Sequence, residues 1–412
     1  MIRLFLVLAL LLAPLTAWGK PLVLWHAYRA AERTALEAAV KRWNDGERGK
    51  LPRIHSLAVP YDAFPDKITA AIPRGHGPDL FIFAHDRVGD WAESKIIEPI
   101  EFWMTEAHAD RFLFKAIDAL CYGDSLYGLP MAFKSTALYY NKALVPTPPR
   151  TTDELVRIAR QNTDRAKGRF GLVYDNSKLY FHAPWLFGFG GAIFVKQGED
   201  DRRGKLAVNS KAAARALAFA RELGGPDGIV PPEPSTTLTT TLFNQGKAAM
   251  AISGPWMLGE LDQKRIQVGV APLPTVSATG KPASPFLGAE GLMMSARCTQ
   301  KDAAFKAMTF LTSDAVAIER AVQARQPVAN NAAWKDARVK ADPILSAFRR
   351  QLDSATVMSG TPQMRLVWSP YDMALQKVMN GSAGPDKALA EAEAEIKRYL
   401  ASMQTAKQGG HQ

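Results

Sequence analysis

Cysteine is nearly absent: Cys121 and Cys298 are the only two in 412 residues. Two thiols make no disulfide framework, and both are expected to be unpaired and mostly buried. A hydrophobic run of the ~20 residues needed to cross a bilayer is also missing. The apolar stretch at 4–15 is shorter, holds Pro14, follows Arg3 and leads to Ala17-Trp18-Gly19. That order reads as an export signal, residues 1–19, cleaved after Gly19 to leave a mature chain starting near Lys20 in the periplasm. No cysteine stands at the end of the apolar stretch, so a lipid on an N-terminal Cys is not expected.

Signatures of catalysis are lacking as well. No GxSxG elbow, HExxH, GxxxxGK[ST] or GxGxxG occurs. The seven histidines include no pair at metal-ligand spacing with a third ligand nearby, and the adjacent His85 and Asp86 point in different directions. No metal and no cofactor is expected. The net charge of +11 comes from Lys and Arg spread along the chain, with no basic run interleaved with aromatics. This is read as a basic, soluble surface with no nucleic acid partner.

A hydrophobic content of 47% over this length is enough for two packed domains. Strand candidates at 21–25, 54–59 and 80–83 alternate with helices at 30–43 and 66–72. In the first helix Leu36, Ala39, Val40 and Trp43 fall on one face. After Arg150 the pattern returns. Thr152-Asp153-Glu154 opens a helix with a cap and first-turn acids, 170–174 reads as a strand, 180–187 as an aromatic-rich helix and 212–223 as a helix. Strands at 248–252 and 268–271 follow, and helices are expected at 302–311 and from Asp386. The fold class is α/β, with two units built on mostly parallel sheets. The Pro- and Ser-rich stretch 272–285 is a candidate linker, and 404–412 a disordered tail.

At 77–89 an apolar strand ends in a loop that sets Asp86 beside Arg87. Asp accepts hydrogen bonds and Arg donates them, so the pair can hold both ends of a hydroxyl array. Aromatics stand near the ends of elements at Tyr180, Phe181, Trp256 and Trp368, with Gly254-Pro255 fixing the turn before Trp256. Flat rings cover the C–H faces of a pyranose, while acids, arginines and amides take its rim.

Four segments, in order and spacing, resemble the periplasmic solute-binding proteins of ABC importers, in the maltose and maltodextrin branch. They are Gly77-Pro78-Asp79 through Ala84-His85-Asp86-Arg87, Pro130-Met131-Ala132 through Tyr139-Tyr140-Asn141-Lys142, Phe243-Asn244-Gln245-Gly246-Lys247-Ala248-Ala249-Met250 with Gly254-Pro255-Trp256, and Pro362-Gln363-Met364 before Trp368. The resemblance covers nearly the whole mature chain. It implies a two-lobed type II binding-protein fold with sugar held in the cleft. The N-terminal lobe would hold 20–133 and 290–328, and the C-terminal lobe 137–286 and 335–403. Crossings are expected near 133–136, 286–290 and 328–334. The implied protein is a monomer without enzymatic activity that loads an oligosaccharide and is recognised, closed, by a membrane permease pair.

By the same resemblance Asp86 and Arg87 match the sugar-hydroxyl pair, Tyr180, Trp256 and Trp368 the stacking aromatics, and Ala84 a small residue that lets the sugar approach. The chain departs from the maltose branch at Phe83, where a Trp is usual, and at Lys134, where a Glu is usual. It departs again in the first loop, at Tyr28 and Arg29. Glu290, an added acid near a crossing, would compensate Lys134 or hydrogen-bond the ligand. Two alternatives stay open: the same fold binding a polyamine or an organic anion, the anion being the one that Lys134, Arg29 and Arg87 together would favour, and an exported carbohydrate-active enzyme.

Overall fold

The computed structural model describes residues 20–46, 51–195, 204–226, 228–262 and 265–409, so the signal segment lies outside the described residues. Two sheets organise the chain. The larger runs Thr356–Val357, Phe286–Met294, Leu80–Ala84, Leu22–His26, Ile54–Ala58, with Gly128–Lys134 pairing the other edge of Phe286–Met294. The smaller runs Val268–Ala271, Ala137–Asn141, Ala248–Ser253, Phe170–Val173. Among the described residues no helix is long and apolar enough to cross a membrane.

Local pattern explains the elements. Leu22–His26 alternates buried and half-buried side chains, as a strand with one side on the core does. Leu80–Phe83 are all buried because helices cover both faces. Helix Ala30–Gly46 buries Ala35, Leu36, Ala39, Val40 and Trp43, the stripe its spacing predicts. In the second lobe Ser210 caps helix Lys211–Gly224 by accepting from the Ala213 amide at 3.1 Å.

The sheets are mixed rather than mostly parallel. Leu22–His26 pairs in parallel with both neighbours, but Phe286–Met294 runs antiparallel to Leu80–Ala84 and to Gly128–Lys134. In the smaller sheet Ala137–Asn141 is antiparallel to both of its partners. The cause is the path between lobes: a strand that leaves one sheet and starts the next cannot keep the direction a helical crossover would impose. Gly128–Lys134 ends in the larger sheet, Ser135 and Thr136 are buried, and Ala137–Asn141 begins the smaller one.

Other expectations are also corrected. The stretch 272–285 is no linker: Thr275–Val276 and Lys281–Pro282 form a hairpin whose Ser277 hydroxyl accepts from the Asp153 amide at 3.1 Å and binds the Thr152 hydroxyl. The cap before helix Thr152–Gln161 is Thr151, not Thr152. The last helix spans Pro385–Gly409, so it enters the segment expected to be disordered; Ala, Met, Gln and Lys are good helix formers and extend it without an apolar stripe. Cys298 is buried, but Cys121 lies at the surface in the two-residue strand Cys121–Tyr122, and no disulfide joins them.

His182 illustrates the cost of the second core. It is buried on helix Leu179–Gly188 against Tyr371, at 5.8 Å between ring centroids, and its Nε2 has no hydrogen-bond partner. Burial pushes its pKa down to about 3. The unfolded chain therefore binds a proton that the folded one refuses, and this contribution to stability is lost as pH falls below 6.5. Thermal unfolding at pH 7.5 and 5 is expected to show a smaller acid-induced drop in His182→Phe than in the wild type. The difference is about 1.4 kcal/mol for each pH unit below the unfolded pKa. Equal drops would mean the imidazole is not held neutral.

Candidate functional site

Parallel strands put their C-terminal ends along one edge, and loops there converge. Leu22–His26 leads to Tyr28 and Arg29, Ile54–Ala58 to Tyr61, and Leu80–Ala84 to Asp86 and Arg87. Facing them from the second lobe are Tyr180 at the start of helix Leu179–Gly188, Trp256 in the turn Pro255–Glu260, and Trp368 opening helix Trp368–Met379. These three aromatics gather near Phe286, at the start of strand Phe286–Met294. The Tyr180 ring lies 6.1 Å from Trp256 and 6.2 Å from Phe286, and Trp368 lies 5.8 Å from Phe286.

Each platform is held from below. Ala248–Ser253 is wholly buried and delivers Trp256 through Gly254, where a Cβ would stand 2.0 Å from the indole. Only glycine leaves room for the ring to fold back there. The Gly254 carbonyl accepts from the Tyr139 hydroxyl at 2.7 Å. Asp372, on the helix that Trp368 opens, accepts from the Leu179 amide at 2.7 Å and so ties Tyr180 to Trp368.

Asp86 and Arg87 sit in a short 3-10 turn, 3.6 Å apart between Oδ2 and Nε. Asp86 Oδ1 is buried and has no hydrogen-bond partner. Burial raises the Asp86 pKa, opposed by His85 and Arg87. His85 fixes the turn: its Nδ1 accepts from the Ala289 amide at 3.0 Å, which leaves Nε2–H to donate to the Met358 carbonyl at 2.7 Å. The two lobes share one electrostatic patch. The Tyr180 phenol is raised by burial, and then by Asp86 and Glu290 across the cleft.

Several residues take other roles than the sequence implied. Phe83 is 4% exposed and stacked between Tyr61 and Phe64, each at 4.8 Å, so its faces are covered. Tyr61, 51% exposed, is the ring that meets the cleft. Its phenol is raised by burial and by Asp86, Glu290 and Tyr180. Sequence reading missed it, although its position, just past a strand end and after Pro60, was a usable signal. Phe181 packs in the second core, edge-on to Tyr180. Ala84 is half-buried and pairs in register with Glu290.

Tyr28 is buried beneath the cleft rather than lining it. Its hydroxyl donates to Glu290 at 3.0 Å and accepts from Arg320 at 3.0 Å. Arg29 is exposed, and Ala30 after it holds a left-handed φ of 44°, a conformation non-glycine residues seldom adopt. Lys134 is caged: its ammonium lies 2.6 Å from Glu32 and 3.6 Å from Glu290, while Gln326 donates to Glu32 at 3.1 Å. Burial alone would lower the Lys134 pKa; Glu290 and Glu32 outweigh it and hold it high. Among the described residues no cluster of His, Cys, Asp and Glu could hold a metal ion.

The chain matches the family described as "Bacterial extracellular solute-binding protein" over residues 30–318. It is similar to a maltotriose-binding protein of Pyrococcus abyssi, 27% identical, over 92% of this chain and 80% of that one. It is also similar to a galactooligosaccharide-binding protein of Bacillus subtilis, 26% identical, over 94% of this chain and 91% of that one. A crystal structure of a cyclo/maltodextrin-binding protein complexed with maltotetraose superposes with a TM-score of 0.83 at 28% identity, covering 94% of this chain and 99% of that one. The sequence match, the two-lobed fold and the cleft agree: the chain belongs to the bacterial extracellular solute-binding protein family.

Proposed function

We propose that this protein captures a maltodextrin, or a related α-linked oligosaccharide, between its lobes and presents it to a membrane permease of an ABC importer without chemical change. The observation that carries this reading is the convergence of Tyr180, Trp256 and Trp368 opposite Asp86, whose Oδ1 is unfilled. Rings on the second lobe would stack on pyranose faces, and Asp86, Arg87 and Tyr61 on the first would take hydroxyls. A ligand touching both lobes favours their closed arrangement by its differential affinity. Residues 20–133 with 290–328, and 137–286 with 335–403, would then move about crossings near 133–136, 286–290 and 328–334. Relatives named for maltotriose and maltodextrin support the substrate class, and those names describe binding rather than turnover. The family's extracellular description supports a site of action outside the cytoplasm.

The charge distribution argues against an organic anion. Lys134 is neutralised by Glu32 and Glu290, and Arg87 lies against Asp86. Isothermal titration with maltodextrins of increasing length, galactooligosaccharide, citrate and spermidine is the test. Saturable heat with the maltodextrins and none with citrate or spermidine is expected. Binding of either ion with no response to sugar would overturn the proposal, and sugar cleavage on long incubation would overturn binding without turnover.

A further inference from the structure

The +11 charge is spread along the sequence but not across the fold. Residues 20–136 and 287–334 contain 20 Lys and Arg against 20 Asp and Glu; residues 137–286 and 335–412 contain 30 against 20. The surplus lies in the second lobe, and strand register gathers part of it. Ala248 pairs with Phe170, Met250 with Tyr140 and Val268 with Asn141. Lys142, Arg169, Lys247 and Arg265 therefore stand together at one end of the four-stranded sheet, and all four are exposed. Two backbone bonds fix the row: Phe170 donates to the Lys247 carbonyl and Lys142 to the Gln267 carbonyl, both at 2.8 Å.

Helix Thr152–Gln161 and the turn after it add Arg157, Arg160, Arg165 and Lys167 at this end. The acids nearby include Asp164, paired with Lys167 at 3.0 Å, Glu222, paired with Arg160 at 3.0 Å, and Glu260 and Asp262, both held by Asn244. Arg165 donates to the carbonyls of Pro226 and Gly228. Among the described residues, Lys142, Arg157, Arg169, Lys247 and Arg265 have no carboxylate at ion-pair distance. Leu144, 43% exposed, stands two residues from Lys142.

This end of the sheet lies opposite the end that carries Tyr180 and Trp256. Phe170–Val173 and Ala248–Ser253 both start at it and run toward Tyr180 and Trp256. Strand ends spaced about 4.8 Å apart present cations as a flat row. A flat cationic row with an apolar side chain beside it fits a plane of phosphates. We propose that this pole of the second lobe docks on the surface of an anionic phospholipid bilayer, holding the protein near the membrane with its sugar cleft turned away and free to load. The attraction is electrostatic and screened by salt. The proposal does not depend on which solute the cleft takes.

Flotation of the mature protein with vesicles tests it. Wild type should float with phosphatidylcholine vesicles containing phosphatidylglycerol at low salt, and not with phosphatidylcholine alone or at high salt. The variant Lys142→Glu, Arg169→Glu, Lys247→Glu, Arg265→Glu should lose at least tenfold in bound fraction. The control Lys205→Glu, Lys211→Glu, Lys281→Glu, Lys387→Glu, which makes the same charge change elsewhere on that lobe, should keep most of its binding. Thermal unfolding midpoints of both variants verify folding. No flotation of wild type, flotation with neutral vesicles, or equal loss in the two variants would each overturn the proposal; equal loss would show a diffuse basic attraction instead.

Discussion

Trp256→Ala is expected to weaken maltodextrin binding about 30-fold or more, a cost of about 2 kcal/mol for a central aromatic anchor. The indole is half-buried, stands 6.1 Å from Tyr180, and has its underside set by Gly254. Removing it opens a gap in the wall of rings and lets water reach the sugar face. Because Trp256 also packs against both second-lobe cores, the variant should unfold at a lower temperature without sugar. Trp256→Phe separates the two effects: it keeps a flat face and should recover most of the affinity. Isothermal titration with maltotriose checks this, and wild-type affinity in Trp256→Ala would remove the residue from the site.

Asp86→Ala should cost at least as much affinity while leaving the sugar-free protein as stable as before, or slightly more so. The carboxylate is pushed up by burial, and its Oδ1 meets neither solvent nor a donor. An unfilled buried acceptor costs about 1–3 kcal/mol, and a sugar hydroxyl that fills it recovers that amount on binding. Without Asp86, Arg87 also loses its neighbouring acceptor. Binding that falls while the unfolding temperature holds is the signature of a ligand group; a structural carboxylate would lower both. Asp86→Asn should lie between, since an amide oxygen still accepts but carries no charge to reinforce the bond.

Much of the scaffold could be read directly from the residues. The stripe of Leu36, Ala39, Val40 and Trp43 and the apolar run at 80–83 report their own burial, because a helix or strand repeats within a few residues. The placement of Asp86, Tyr180, Trp256 and Trp368 at turns and helix starts was also legible, since neighbouring residues dictate it. Tyr61 and Phe83 were not. Which ring of a stack faces the cleft depends on how helix Phe64–Ala71 lies over the sheet, and Phe64 takes the other face of Phe83.

The sequence alone determined the α/β class, the run of elements and the residue types a carbohydrate needs, all of which follow from short-range periodicity and side-chain chemistry. Tertiary structure decided the fate of the charges. Lys134 meets Glu32 across 102 positions, Tyr28 meets Glu290 across 262, and Arg320 meets Tyr28 across 292. It also gathered scattered cations into one pole. Electrostatic energy depends on distance in space, and only the folded path of the chain converts separation along the sequence into that distance.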